Sequence, residues 1–172
     1  MKCLSYAEGK KLLYSLGHIS ENVADKTGTH SLPRFDFNLN VSAIPLSAFR
    51  LSFFAARIRD LLSPGDVVLW LTQWGDTLPE HYYLFEHARR GLRETRTVKE
   101  SPVHLFSSSN VDDREAISAF LFLVLSFEWG AYLFSSNASE IIFVQDGSIA
   151  FSLPDQIRHR QVRDLLAEFR LS

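Results

Sequence analysis

Hydrophobic positions along this chain switch between two periods, and the switches predict most of its elements. From Ala116 to Phe134 the residues are apolar except for Ser118, Ser126, Glu128 and Gly130. A membrane-crossing helix needs about 20 mostly apolar residues with few charges, and this run is interrupted at Glu128 and Gly130. The pattern therefore predicts a helix from about Val111 to Phe127, a corner at Glu128-Trp129-Gly130, and a strand over Ala131–Phe134. Asp112, with Glu115 three residues later, has the spacing of a capping box at the helix start. A helix apolar nearly all round is either sandwiched inside the fold or shared with a second subunit, so a homodimer is one arrangement the sequence allows.

The next segment has period two. Ile141–Gln145 and Ser148–Leu153 flank Asp146-Gly147, the preferred pair for a tight hairpin turn in which both residues take positive φ. With Ala131–Phe134 they predict a three-stranded meander. Pro154-Asp155 then opens a last helix whose Val162, Leu165, Leu166 and Phe169 form one apolar stripe. Upstream, Ser63–Asp66 reads as a turn before Val67–Leu71, a continuous apolar run suited to an interior strand. Leu46–Leu62 reads as a helix with Phe49, Phe53, Phe54, Ile58, Leu61 and Leu62 near one face. Pro79–Leu92 reads as another, with proline at its start and Gly91 near its end. Arg34–Val41 alternates like an edge strand, and Ser5 with Glu8 marks a short N-terminal helix. Residues 18–33 read as a mobile loop. The sum is a single α+β domain over residues 1–172: a mixed sheet packed by helices, with a C-terminal β-meander and a final amphipathic helix.

Composition narrows the function classes. A net charge of −2 argues against a molecule that binds nucleic acid or acidic membranes by bulk electrostatics. One cysteine, Cys3, rules out a disulfide or zinc-cluster framework within the chain and suits a reducing cytosol. The first residues, MKCLSYAEGKK, are too polar for a signal peptide, so the expected location is cytoplasmic, with no membrane partner.

Three features carry candidate chemistry. The segment Gln73–Tyr83 runs off the expected interior strand into a helix N-terminus, where open α/β sheets collect ligands. Trp74, Asp76, Glu80, His81 and Tyr82 are its candidate ligand-binding residues; their plainer roles are core packing, turn formation and helix-dipole compensation. A basic run of Arg89, Arg90, Arg93, Arg96 and Lys99, near Tyr82, Tyr83 and Phe85, has the composition of a backbone-tracking patch beside stacking aromatics. Its plainer role is a solvated helix face, which the acidic balance favours. Six histidines, His18, His30, His81, His87, His104 and His159, include no pair at helical ligand spacing, so no metal site is expected. Nucleophile elbows, phosphate loops and dinucleotide fingerprints are missing too, so no cofactor and no catalytic residue are assigned.

The order of several motifs adds a resemblance. Trp70–Gly75 is followed by Phe85, Arg89-Arg90, Ser101-Pro102-Val103-His104-Leu105-Phe106 and Phe127-Glu128-Trp129-Gly130-Ala131-Tyr132-Leu133. This resembles a group of uncharacterised bacterial proteins with a Pro-Gly-His-Leu-Phe element and a later Gly-Trp-Asp-Ala-Tyr-Leu element. It spans roughly residues 66–153, with Val103 in place of the glycine and Gly130 in place of the aspartate. The apolar positions match and the polar ones drift, so the resemblance implies a shared scaffold and no activity. The leading expectation is a non-enzymatic protein-interaction module of accessory or immunity type, binding another protein through an exposed aromatic surface. The alternatives are a small-molecule site or small enzyme at Gln73–Tyr83 and a nucleic-acid module at Arg89–Lys99.

Overall fold

The structure, a computed structural model, describes residues 1–16, 37–42, 44, 47–62, 65–74, 78–136 and 140–171. The loop expected at 18–33 lies outside the described residues. In chain order the elements are β1 (Lys2–Leu4), α1 (Tyr6–Ser15), β2 (Leu39–Val41), α2 (Ala48–Leu61), β3 (Val67–Gln73) and α3 (Pro79–Gly91). They continue with β4 (Val103–Phe106), α4 (Val111–Ser126), β5 (Gly130–Ser135), β6 (Ile141–Gln145), β7 (Ser148–Ser152) and α5 (Gln156–Glu168).

The strands form one seven-stranded sheet in the order β1-β4-β3-β5-β6-β7-β2, antiparallel at every pairing. The α+β class expected from the sequence is thus what the chain adopts. The meander β5-β6-β7 closes at Asp146-Gly147, where both residues have positive φ (49° and 70°), as a hairpin turn of this type requires. β3 is an interior strand and β2 an edge strand, in agreement with their patterns.

Alternation along the strands divides the interior in two. Leu69 and Leu71 of β3, Leu133 of β5 and Phe151 of β7 face the larger core, with Phe54 and Ile58 of α2, Phe85 of α3, Phe120 and Val124 of α4, and Leu166 of α5. Val68 and Trp70 of β3, Val103 of β4 and Phe134 of β5 face the other way, where Leu13 of α1 joins them. A methyl group at Gly9 would lie 2.7 Å from a Val103 methyl carbon and 3.0 Å from the Trp70 ring, so glycine is what lets α1 sit so close to the sheet. α4 spans Val111–Ser126, close to the predicted bounds, and it is sandwiched: Ile117, Phe120, Leu121 and Val124 are buried in the larger core. Among the described residues no helix is long and apolar enough to cross a membrane.

Two local expectations change. α4 is capped by Asn110, whose side-chain oxygen accepts the Asp112 amide at 3.0 Å, not by Asp112 and Glu115. The helix starts at Val111 as expected, and Asp113 in its first turn is buried, where it accepts the Ser107 amide at 2.8 Å and pairs with the Met1 ammonium group. In α2 the buried stripe is Leu51, Phe54, Ala55, Ile58 and then Leu62; Phe49 and Phe53 point outward, 71% and 54% exposed. Leu51 and Phe54 lie opposite Phe49 and Phe53 on the helical wheel, so the two sets cannot share one face.

At the corner after α4, Glu128 takes the left-handed conformation (φ 57°). The Trp129 amide donates to the Val124 carbonyl at 3.0 Å and the Glu128 amide to Leu125 at 3.3 Å, the two bonds that close a helix end of this kind. The Glu128 side chain is exposed, so the one charge in the apolar run reaches water.

Candidate functional site

The ligand crevice inferred at Gln73–Tyr83 rested on a rule for parallel strands. β3 is flanked by antiparallel β4 and β5, so that rule has no purchase here. Of the five residues, Asp76 lies outside the described residues, and Trp74 and Tyr82 both pack against the larger core. Glu80 is exposed on the first turn of α3. His81 stacks on Phe127 with ring centroids 4.1 Å apart, and its Nδ1 is buried without a hydrogen-bond partner. Tyr82 is half-buried; burial first, then the Glu86 carboxylate, raises its pKa. Trp74 is half-buried and packs on the larger core.

The basic run is divided as well. Arg89 is completely buried on the inner side of α3. Its Nη1 donates to the Glu86 carboxylate at 3.3 and 3.4 Å, and its Nη2 to the Ser101 carbonyl at 3.0 Å and hydroxyl at 2.5 Å. Glu86 also accepts the Val98 amide at 2.5 Å, so the pair ties α3 to the segment that leads into β4. Arg96 pairs with Glu94 at 3.1 Å and donates to the Cys3 carbonyl. Burial works to raise the Glu94 pKa, but the Arg96 side chain and backbone amide outweigh it and hold the carboxyl at about 2. Arg90, Arg93 and Lys99 remain exposed. Two of the five basic side chains are therefore engaged in internal bonds.

His104 of β4 sits beside this centre, fully buried, its ring 5.7 Å from that of Phe85 and 5.6 Å from that of Phe120. Burial and then the Arg89 charge push its pKa down to about 3, so the imidazole is neutral. Its Nδ1 lies 3.4 Å from the Leu69 carbonyl and its Nε2 has no partner. Cys3, opposite His104 in the β1–β4 register, is buried, and burial raises its thiol to about 11, which leaves little thiolate for chemistry. Among the described residues no three His, Cys, Asp or Glu side chains gather where they would hold a metal ion.

Among the described residues, α2 exposes a pair of phenylalanines in contact with each other. Phe49 and Phe53, one turn apart, contact each other edge to face with centroids 4.9 Å apart. Burying a phenylalanine side chain is worth about 1.5–3 kcal/mol, and these two forgo most of that. Leu78, Tyr83, Leu84, Val111 and Ile157 are exposed as well, but Phe49 and Phe53 are an exposed phenylalanine pair in ring contact, with no polar end to turn to water. The sequence carried a usable signal: Phe49, Phe53, Ala56 and Asp60 make one stripe, and Asp60 marks it as outward.

Charge around the stripe is uneven. α2 and α5 together carry six arginines against three carboxylates, in a chain whose net charge is −2. The two helices are locked side by side: Arg50 donates to the Phe169 carbonyl at 2.8 Å, Phe54 meets the Phe169 ring at 5.1 Å, and Arg57 pairs with Glu168 at 3.2 Å. The arginine excess thus lies on the helix that carries the apolar pair and on its neighbour. Comparison with protein-family models, curated proteins and solved structures finds no match.

Proposed function

We propose that this chain is a non-catalytic, cytoplasmic interaction module, of the accessory or immunity type, that binds an acidic protein through the Phe49–Phe53 stripe of α2. The observation that carries the reading is the exposure of two contacting phenylalanines on a helix whose opposite face is fully packed. Interfaces draw their energy from a few aromatic anchors and a charged rim. Here the anchors are the two rings, and the rim is the arginine excess of α2 and α5. A complementary partner carries carboxylates around an apolar pocket, and the charge complementarity speeds encounter in a salt-dependent way.

The test compares wild-type protein with the Phe49→Ser/Phe53→Ser double variant and a Tyr83→Ser control, each immobilised in lysate of its own cells. The reading expects one acidic protein retained in stoichiometric amount by wild type and control, lost by the double variant, and weakened by added salt. It fails if the double variant retains the same proteins as wild type. It fails equally if the only partner is a second copy of this chain, seen as a dimer by light scattering.

A further inference from the structure

Where β1, β4 and β3 lie side by side, three aromatic side chains from two distant parts of the chain converge. β1 pairs with β4 and β4 with β3, which brings the start of α1 over the end of β3. Tyr6 of α1 then meets Trp70 of β3 edge to face, with centroids 5.2 Å apart and planes at 84°. Together with Trp74 they wall a cleft of about 260 Å³, completed by Leu71, Thr72, Pro102 and Lys99. Trp70 is 1% exposed and forms a floor, while Tyr6 and Trp74 are half-buried.

The strand is deformed at this point. The β3–β5 register shifts between Leu71 and Gln73, so Thr72 is the extra residue of a bulge. Bulges gather beside binding sites because they re-aim a side chain. The opposing residue is Gly130, where a methyl group would lie 2.8 Å from the Thr72 hydroxyl oxygen and 3.0 Å from the Gln73 Cβ. The bulge therefore depends on a glycine in the neighbouring strand, and Thr72 is one of the residues that line the cleft.

Aromatic walls by themselves also suit a cation. The charge at this cleft decides otherwise. Lys99 lines it, is exposed, and has no carboxylate partner among the described residues. The other described lining residues include no acid, and a second ammonium group, that of Lys10, already lies 5.1 Å from the Tyr6 ring centroid. The volume is below the range of about 300–1,000 Å³ typical of drug-sized ligands, which limits the occupant to one or two fused rings.

We infer that this cleft is a binding site for a small planar aromatic carboxylate, its ring stacked between Trp74 and Tyr6 above Trp70 and its carboxylate paired with Lys99. The site is separate from the α2 stripe and stands without it.

Titration calorimetry with 2-naphthoate, and with the neutral 2-naphthalenemethanol of nearly the same shape, tests the assignment on the full chain. Wild type is expected to bind 2-naphthoate saturably and at least about tenfold more tightly than the alcohol, the size of one charge-assisted contact. Lys99→Gln, at an exposed position, is expected to keep the wild-type melting temperature and to reduce naphthoate affinity to that of the alcohol. Trp74→Ala weakens both compounds. The assignment is overturned if neither compound binds saturably, or if Lys99→Gln leaves naphthoate affinity unchanged. Tighter binding of phenyltrimethylammonium than of naphthoate overturns it as well.

Discussion

Arg89 on α3 is completely buried, whereas Phe49 on α2 leaves 71% of its surface in water. Each sits where the other's chemistry would be expected, and the two cases differ in how they are resolved. Around Arg89 the fold supplies a carboxylate, a carbonyl and a hydroxyl, so the buried charge is compensated from within. Among the described residues the ring contact of Phe49 is with Phe53, itself 54% exposed. A polar group compensated internally is explained by the architecture it holds together. An apolar pair left in water on a well-packed helix is what the proposed interaction would cover.

The largest effect should come from breaking the internal case. Arg89→Ala leaves Glu86 buried and unpaired, and removal of one partner of such a pair costs about 3–5 kcal/mol. Chemical denaturation should show this as a large fall in the midpoint at constant slope. If the variant is as stable as wild type, the buried pair is not what joins α3 to the β4 segment. Next comes the neighbouring pair Phe53 and Phe54. Phe54→Ala empties a fully buried position in contact with Phe169 and should cost about 3–5 kcal/mol. Phe53→Ser, one residue away, should stay within about 0.5 kcal/mol of wild type. Equal losses for the two would mean that the stripe is part of the core.

Acidity sharpens the contrast from another side. His104 stays neutral in the folded state down to about pH 3, while in the unfolded chain it protonates below its ordinary value of 6.5. Its contribution to stability is therefore fully present above pH 6.5 and is lost as the pH falls. The slope approaches one proton, about 1.4 kcal/mol per pH unit. The window from 6.5 to 4.5 isolates it, because Glu94 adds its own acid sensitivity only below its ordinary value of 4.5. His104→Phe, among the rings of Phe85, Phe106 and Phe120, should flatten that window in denaturation curves taken at several pH values. An unchanged slope would show that the imidazole is not the group responsible. The smallest effect belongs to the stripe: Phe49→Ser/Phe53→Ser should leave both the pH profile and the melting temperature near those of wild type.

The long periodic segments were legible in the sequence because each carries its own signal. α4, the meander at Asp146-Gly147 and α5 fall close to their predicted bounds. β1 and β4 were not legible. Lys2–Leu4 is too short to show a period, and β4 carries a buried histidine where alternation would call for an apolar residue. Helix ends were blurred for a related reason: Arg93, Glu128 and Arg170 take the left-handed positions that usually announce themselves as glycine. The sites are harder still. Trp74 was singled out, but its companions Tyr6, Trp70 and Lys99 meet only through the strand order β1-β4-β3, which no local pattern encodes. Arg89 reads as one more surface cation until its burial is seen. Phe49 and Phe53 read as core because phenylalanine usually is, and only the competition with Leu51 and Phe54 for one helix face turns them outward.

The central claim is that the outward phenylalanines of α2 meet another protein. A photo-crosslinking phenylalanine analogue placed at position 53 in living cells, with position 83 on α3 as the comparison, tests it most directly. The account predicts one dominant adduct from position 53, to an acidic protein, and none of that adduct from position 83. No adduct at position 53, or the same adducts from both positions, would contradict it.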